Sequence, residues 1–446
     1  MKYLLLCSAL LSAPALAWGP HPDITRAALE TLGPDAAIVQ QLGAETNSLR
    51  NNSCMPDWRR SLHRDKQAWF YADDYLLFPV MPKHIGHMCP EVKQTYEPFF
   101  RRALQALRTE NAVNASRWVG SLVHFVEDTG APPHAAIVSG ELHKLTENWA
   151  NPERLHIAGY RPRSLGSSDD EALACLLRRI DGLIEFSKQR YERAKPLAVS
   201  GERAKADPIL IESAEECARV VADLLLTLGE RAAQTPAGQS AGLSGKVTSL
   251  AVAGLDLVPA KIVLVGTAFS TLADGEGRYA FSHLPPGAYT LGVVRAGNST
   301  ALDEVTLPAG RTVTRDLALA ADPVAGNLLR NAAFNLRWLE AGRPDGWLPN
   351  KLKNGGQLWE GETLPLQTNA HYRLLVAWQD KAEGKLVLRI YGAPPATKPI
   401  AEFELKAPVA ELDLAVTPEM RSAMVVLHAK DDPGKVCRHI AFVQQR

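Results

Sequence analysis

Apolar positions recur at helical spacing through the first half of the chain and at strand spacing through the second. Residues 22–33 (PDITRAALETLG) are amphipathic, with Pro22 near the start and Gly33 at the end, and predict a helix. Residues 97–109 and 113–130 predict two more, joined near 111–114, the second stopped by Pro132 and Pro133 so that His134 falls in a loop. Another begins at His143 and runs to Ala150. Residues 169–194 set Leu173, Leu176, Leu177, Ile180 and Ile184 on one face, and 208–233 do the same with Leu210, Ala214, Cys217, Val221, Leu224 and Leu228. Such stripes read as core, and five or six elements of this kind predict an all-α bundle. The proline-punctuated run DDYLLFPVMPKHIGHMCPEVKQTYEPFF, from 73, reads as a loop.

The pattern then changes. Residues 234–244 (QTPAGQSAGLS) are small and polar, as in a linker. Short strands with turn signals follow over 245–321 (KIVLVG, RYAFSHL, AYTLGVV, RTVTRDLAL), and 326–446 is again strand-rich (YRLLVAW, KLVLRIYG, AEFELKA, SAMVVLHA). The expected organisation is multidomain: a signal peptide over 1–17, a helical domain over 18–233, the linker, and two β-sandwich modules over 245–321 and 326–446. The signal peptide is read from Lys2, the apolar Leu4–Leu11 core and the small-residue site Ala15-Leu16-Ala17. That core is too short to span a membrane, so a secreted or periplasmic protein is expected.

Composition adds little: 46% hydrophobic and 22% charged residues are ordinary for globular chains. Charge excludes more. Lys and Arg total 49, as do Asp and Glu; removing the leader takes away only Lys2, leaving 48 against 49, or −1. No footprint for a stable nucleic-acid partner is visible. Export permits disulfides, and nearest-neighbour pairing gives Cys54–Cys89 and Cys175–Cys217, with Cys437 left over.

The chemistry concentrates in SLVHFVEDTGAPPHAAIVSGELHKLTENWA, from Ser121 to Ala150. His124/Asp128 and His143/Glu147 are each four apart, so each pair shares one helical face, and His134 lies between them. One such pair alone is usually a surface contact. Two pairs and a third histidine beside the apolar Trp118, Val119, Leu122, Val123 and Val126 are different, because an unpaired charge near a buried face is costly and a cation removes that cost. Imidazole and carboxylate donors suit zinc.

With Trp18-Gly-Pro-His21-Pro-Asp-Ile-Thr at the expected mature terminus, these motifs resemble the zinc-dependent phospholipase C and single-strand nuclease superfamily over roughly 18–233. Phe125, Pro133-His134-Ala135 and Glu147-Asn148 echo its phospholipase branch. The resemblance implies three zinc ions. One is held by His87, His124 and Asp128, and a second by His134, His143 and Glu147. The third is held by the amino and carbonyl groups of Trp18 with His21, sharing Asp128. Asp57, in Pro-Asp-Trp, ligates a metal or takes a proton from the attacking water; read without the family it is a helix cap. His84 competes with His87 for its place, and His63 is a weaker candidate. Two departures stand out: Trp18 and His21 are closer than in the family, and the gap from His134 to His143 is short.

Further on, Asp274-Gly275-x-Gly277-x-Tyr279-x-Phe281 and Leu284-Pro-Pro-Gly287-x-Tyr289 resemble the carboxypeptidase regulatory-like β-sandwich, with Asp274 and Glu276 read as turn residues. NLLRNAAF and Pro344-Asp-Gly-Trp347 resemble galactose-binding-like jelly rolls; Trp338, Trp347 and Trp359 are read first as core, ahead of sugar platforms. The function expected is a zinc-dependent phosphoric diester hydrolase acting on phospholipid headgroups, with peripheral membrane or surface contact through the β-modules. The alternatives are a single-strand nuclease of the same superfamily and a non-catalytic surface-binding protein.

Overall fold

The structure is a computed structural model. It describes residues 20–54, 56, 86–149, 155–234, 240–249, 259–267, 269–337, 344–351, 357–380, 383–392, 398–429 and 432–445. The expected signal segment, Trp18, Asp57, His63 and His84 lie outside the described residues. Among the described residues no helix is long and apolar enough to cross a membrane.

The first half is helical and the second is built of β-sheets. Nine α-helices are described: α1 (His21–Leu32), α2 (Ala37–Leu42), α3 (Leu49–Asn52), α4 (Tyr96–Thr109), α5 (Ala112–Gly130), α6 (Pro132–Ala135), α7 (Glu141–Glu147), α8 (Asp169–Val199) and α9 (Arg203–Ala233). Helix α5 is the central one. Asn111 caps it by accepting from the Asn114 N–H, and every residue from Asn114 to Gly130 is buried. A helix enclosed on all sides needs partners for its polar residues, and three of these, His124, Glu127 and Asp128, meet at the site. Helix α8 starts at a Ser168 cap followed by Asp169, Asp170 and Glu171, acids that suit a helix N-terminus. Helix α9 starts five residues earlier than expected and keeps Pro208 inside it, since one missing hydrogen bond near the start of so long a helix is tolerable. His134 is not in a loop: Pro132 and Pro133 preset φ for a single turn, and His134 sits in α6.

Sixteen strands are described, in four sheets. Strand β1 (Ala241–Thr248) pairs antiparallel with β4 (Arg278–Leu284) and parallel with β7 (Thr312–Thr314) and β8 (Leu317–Ala318). It begins inside the stretch expected to be linker, because Ala241 and Leu243 are buried against their partners Leu284 and Phe281. A second sheet orders β3 (Ser270–Leu272), β2 (Lys261–Leu264), β5 (Gly287–Val294) and β6 (Ala301–Leu307). Leu243, Ile262, Phe281 and Leu291 share one core between these sheets. Beyond it, β9 (Leu348–Lys351) to β16 (Cys437–Gln445) form sheets of five and three strands around another core. Trp347 and Trp359 are buried there, as core; Trp338 lies outside the described residues. Asp274 acts as a turn residue, its carboxylate accepting from the N–H groups of Glu276 and Arg278.

The helices and the first sheets are joined through polar contacts, most of them buried. Glu110 bridges to Phe281 of β4, and Asn111 donates to the carbonyl of Leu272 at 2.7 Å. Asn114 donates to the carbonyl of Ser270 at 2.9 Å, and Arg102 to the Ser270 hydroxyl at 3.3 Å.

The expected disulfides are not formed among the described residues. Cys217 is fully buried on α9, its thiol toward the carbonyls of Val126 and Glu127, whereas Cys175 is half-buried on α8 and takes a hydrogen bond from Arg178. Nearness in sequence therefore does not bring these side chains together.

Candidate metal centre

Asp128 stands at the middle of the cluster, and the last turns of α5 carry His124, Glu127 and Asp128, all buried. His124 and Asp128 share a face, with Nε2 and Oδ2 3.0 Å apart. Helix α1 brings His21 alongside: its ring stacks on His124 with centroids 4.4 Å apart, and its Nε2 lies 3.7 Å from Asp128 Oδ1. His87 enters from the segment before α4, with Nδ1 2.9 Å from Asp128 Oδ2 and 3.0 Å from His124 Nε2. His134 Nδ1 lies 3.2 Å from Asp128 Oδ1. On the far side of His134, Nε2 is 3.5 Å from Glu147 Oε1, and His143 Nε2 is 3.0 Å from the same oxygen.

The local sequence explains this convergence. Ser116, Gly120 and His124 repeat every four residues down one face of α5. Asn52, at the end of α3, donates to Ser116 Oγ at 2.9 Å, and a Cβ on Gly120 would come within 2.7 Å of the Asn52 carbonyl carbon. Only glycine lets α3 lie this close. One turn further on, the Ser53 carbonyl accepts from His124 Nδ1 at 2.8 Å.

A similar device holds His143. After α6 the chain makes a Schellman closure, with Ile137 N–H to the His134 carbonyl and Val138 N–H to the Pro133 carbonyl. That closure puts Ile137 at φ 60°, a strained position for a β-branched residue, with its side chain 61% exposed. It also aims the Val138 carbonyl at His143 Nδ1, 2.9 Å away. Fixing one ring nitrogen this way leaves the other as the metal-facing donor.

The electrostatics are those of a negative centre held by imidazoles. Burial opposes ionisation of Asp128, but His124, His87 and His134 hold its carboxyl well below the usual range. Burial lowers the pKa of His134, yet Asp128 and Glu147 outweigh it and push the ring up to about 9. His143 is raised by its hydrogen bond to Glu147. Glu147 is disfavoured by burial but lowered overall by His134 and His143. Protons therefore do here what a cation would do.

The donor set fits a metal. His21, His124 and Asp128 form one group of ligand atoms lying within 4.8 Å of one another, and His134, His143 and Glu147 form another. Asp128 Oδ2 and His134 Nδ1 are buried without a well-aligned hydrogen bond among the described residues, although imidazole and carboxylate atoms crowd them. Atoms that converge without pairing have the arrangement of a ligand shell. Of the residues singled out in the sequence, His21, His87, His124, Asp128, His134, His143 and Glu147 are brought together.

Sequence reasoning missed Glu127, whose carboxylate lies 2.7 Å from His21 Nδ1. It stands three residues after His124, on the same side of the helix, and that spacing was the available signal.

The second half of the chain contains a recognised module. Residues 242–320 match the carboxypeptidase regulatory-like domain. Comparison with curated proteins found no match. Among solved structures, the chain is similar to alpha toxin from Clostridium absonum at 12% identity, over 66% of this chain and 96% of that one, with a TM-score of 0.36. It is similar to Clostridium perfringens alpha-toxin from avian strain SWCP at 13% identity, over 66% and 95%, with a TM-score of 0.28. A chain of a type II cohesin–X-dockerin complex from Acetivibrio cellulolyticus is 19% identical over 18% of this chain and 58% of its own, with a TM-score of 0.16. Scores this low leave the side chains of the centre as the basis for function.

Proposed function

We propose that this chain is an exported, zinc-dependent phosphoric diester hydrolase that releases phospholipid headgroups. One observation carries the reading: four histidines surround the buried Asp128, and the last of them opens onto His143 and Glu147. His87, His124 and Asp128 would hold one zinc ion. His134, His143 and Glu147 would hold a second. His21 and Asp128, with the amino and carbonyl groups of Trp18, would hold a third. When bound, such ions polarise phosphoryl oxygens, acidify water and support the leaving oxygen.

The protein's own residues have distinct tasks. Ser53 and Val138 offer carbonyls that fix His124 and His143. Asp128 joins the two groups of donors, so displacing it disturbs both. Asp57 would orient the attacking water or take its proton. The helical domain over 18–233 would carry the reaction, and the modules over 245–321 and 326–446 would hold the enzyme at its substrate surface.

The test is hydrolysis by the full chain supplied with zinc. Phosphatidylcholine should yield a phosphorylated headgroup; a chelator should stop the release and added zinc restore it. Acid-soluble nucleotides from single-stranded DNA, with phospholipid untouched, would replace the substrate with nucleic acid. Inertness toward both would overturn the reading and favour a surface-binding protein.

A further inference from the structure

Three of the clustered histidines have a described partner on the ring nitrogen turned away from the cluster, and the partners differ in kind. His124 and His143 use backbone carbonyls, whereas His21 uses a carboxylate, Glu127. That carboxylate is held at both oxygens. Oε2 lies 2.7 Å from His21 Nδ1, and Oε1 accepts from the Thr25 hydroxyl at 2.7 Å. Thr25 lies one turn after His21 on α1, so Glu127 grips two successive turns of that helix from its place on α5. The side chains of His21 and Glu127 are 1% and 0% exposed.

Adjacent positions on α5 thus address opposite nitrogens of one ring: Glu127 faces Nδ1 and Asp128 faces Nε2. With the proton on Nδ1, the Nε2 lone pair is directed at Asp128. A carboxylate partner also makes an imidazole a more basic ligand than a carbonyl partner does. A backbone carbonyl is a fixture of the fold, whereas this partner is a side chain that substitution can remove.

We infer that Glu127, steadied by Thr25, is a positioning residue that orients and strengthens His21 as a metal ligand, so that it sets the affinity of the His21–Asp128 site apart from the others. The inference rests on the metal reading proposed above. It makes occupancy of the His21 site depend on a side chain outside the ligand set.

The experiment compares zinc retained by the full-length protein and its Glu127→Gln and Thr25→Val variants after equilibration with graded chelator, with zinc affinity measured calorimetrically. Glu127→Gln keeps the shape and an acceptor oxygen but removes the carboxyl group's second oxygen and its capacity to ionise beside His21. It should weaken one zinc site by about 10- to 100-fold and leave the rest unchanged. Thr25→Val should weaken the same site by a smaller factor. Unaltered zinc number and affinity in a folded Glu127→Gln protein would overturn the inference. If that variant does not fold, Thr25→Val decides: a selective loss at one site supports the inference, and wild-type affinity at every site overturns it. A parent protein that binds no zinc would fail the metal reading instead, which keeps the two failures distinct.

Discussion

Asp128→Asn is expected to lower phosphodiester hydrolysis by on the order of a thousandfold, about 4 kcal/mol of transition-state stabilisation. The change preserves volume and removes one negative charge. Asp128 has carboxylate oxygens within 3.7 Å of four imidazoles, so the amide would leave His21, His87, His124 and His134 around a neutral group. Donors that lose their shared anion hold a cation poorly, and both groups of ligands are affected together. The measurement is kcat/KM beside zinc content, with helical circular dichroism to confirm the fold. Activity within about tenfold of the parent, at full zinc content, would contradict Asp128's place at the centre.

Arg102→Ala is expected to destabilise the helical half by about 3–5 kcal/mol, because it strands a buried charge. Arg102 and Glu110 form an ion pair with side chains 4% and 0% exposed, and the guanidinium lies 4.3 Å from the Trp118 ring centroid. Glu110 also accepts from Asn114, which reaches the first sheets through Ser270. Burial pushes the Glu110 carboxyl up, against the pull of Arg102. Removing Arg102 raises it further. A carboxyl raised by folding loses stability as pH rises through its folded value, so the deficit should be larger near about pH 8 than near about pH 5. Urea unfolding followed by helical circular dichroism reads both effects. A loss below about 1 kcal/mol, with no dependence on pH, would mean the pair is solvated.

Periodicity made the helices legible. The stripe of α8 and the end of α1 were visible because one face is apolar and Gly33 follows the last turn, whereas the Asn111 and Ser168 caps emerge only in the structure. The i, i+4 pairs gave the core of the centre for the same reason: helical geometry fixes which side chains meet. Geometry beyond one element was not legible. Nothing local says that Gly120 admits α3 so that Ser53 can hold His124, or that Thr25 and Glu127 meet across 102 positions. His134 was misplaced because Pro132 and Pro133 stop one helix and start another turn. The cysteine pairing failed because distance along the sequence does not say which face a side chain takes. The start of β1 was hidden because Ala241 and Gly242 look like linker until their partners are known.

Anomalous diffraction at the zinc edge, from crystals of natively purified protein, is the most direct measurement of the centre. The prediction is three zinc peaks: one within reach of His87, His124 and Asp128, one of His134, His143 and Glu147, and one of His21 and Asp128, each about 2.0–2.2 Å from its protein donors. Crystals with no anomalous peak beside Asp128 and Glu147, or with zinc bound only elsewhere, would contradict it.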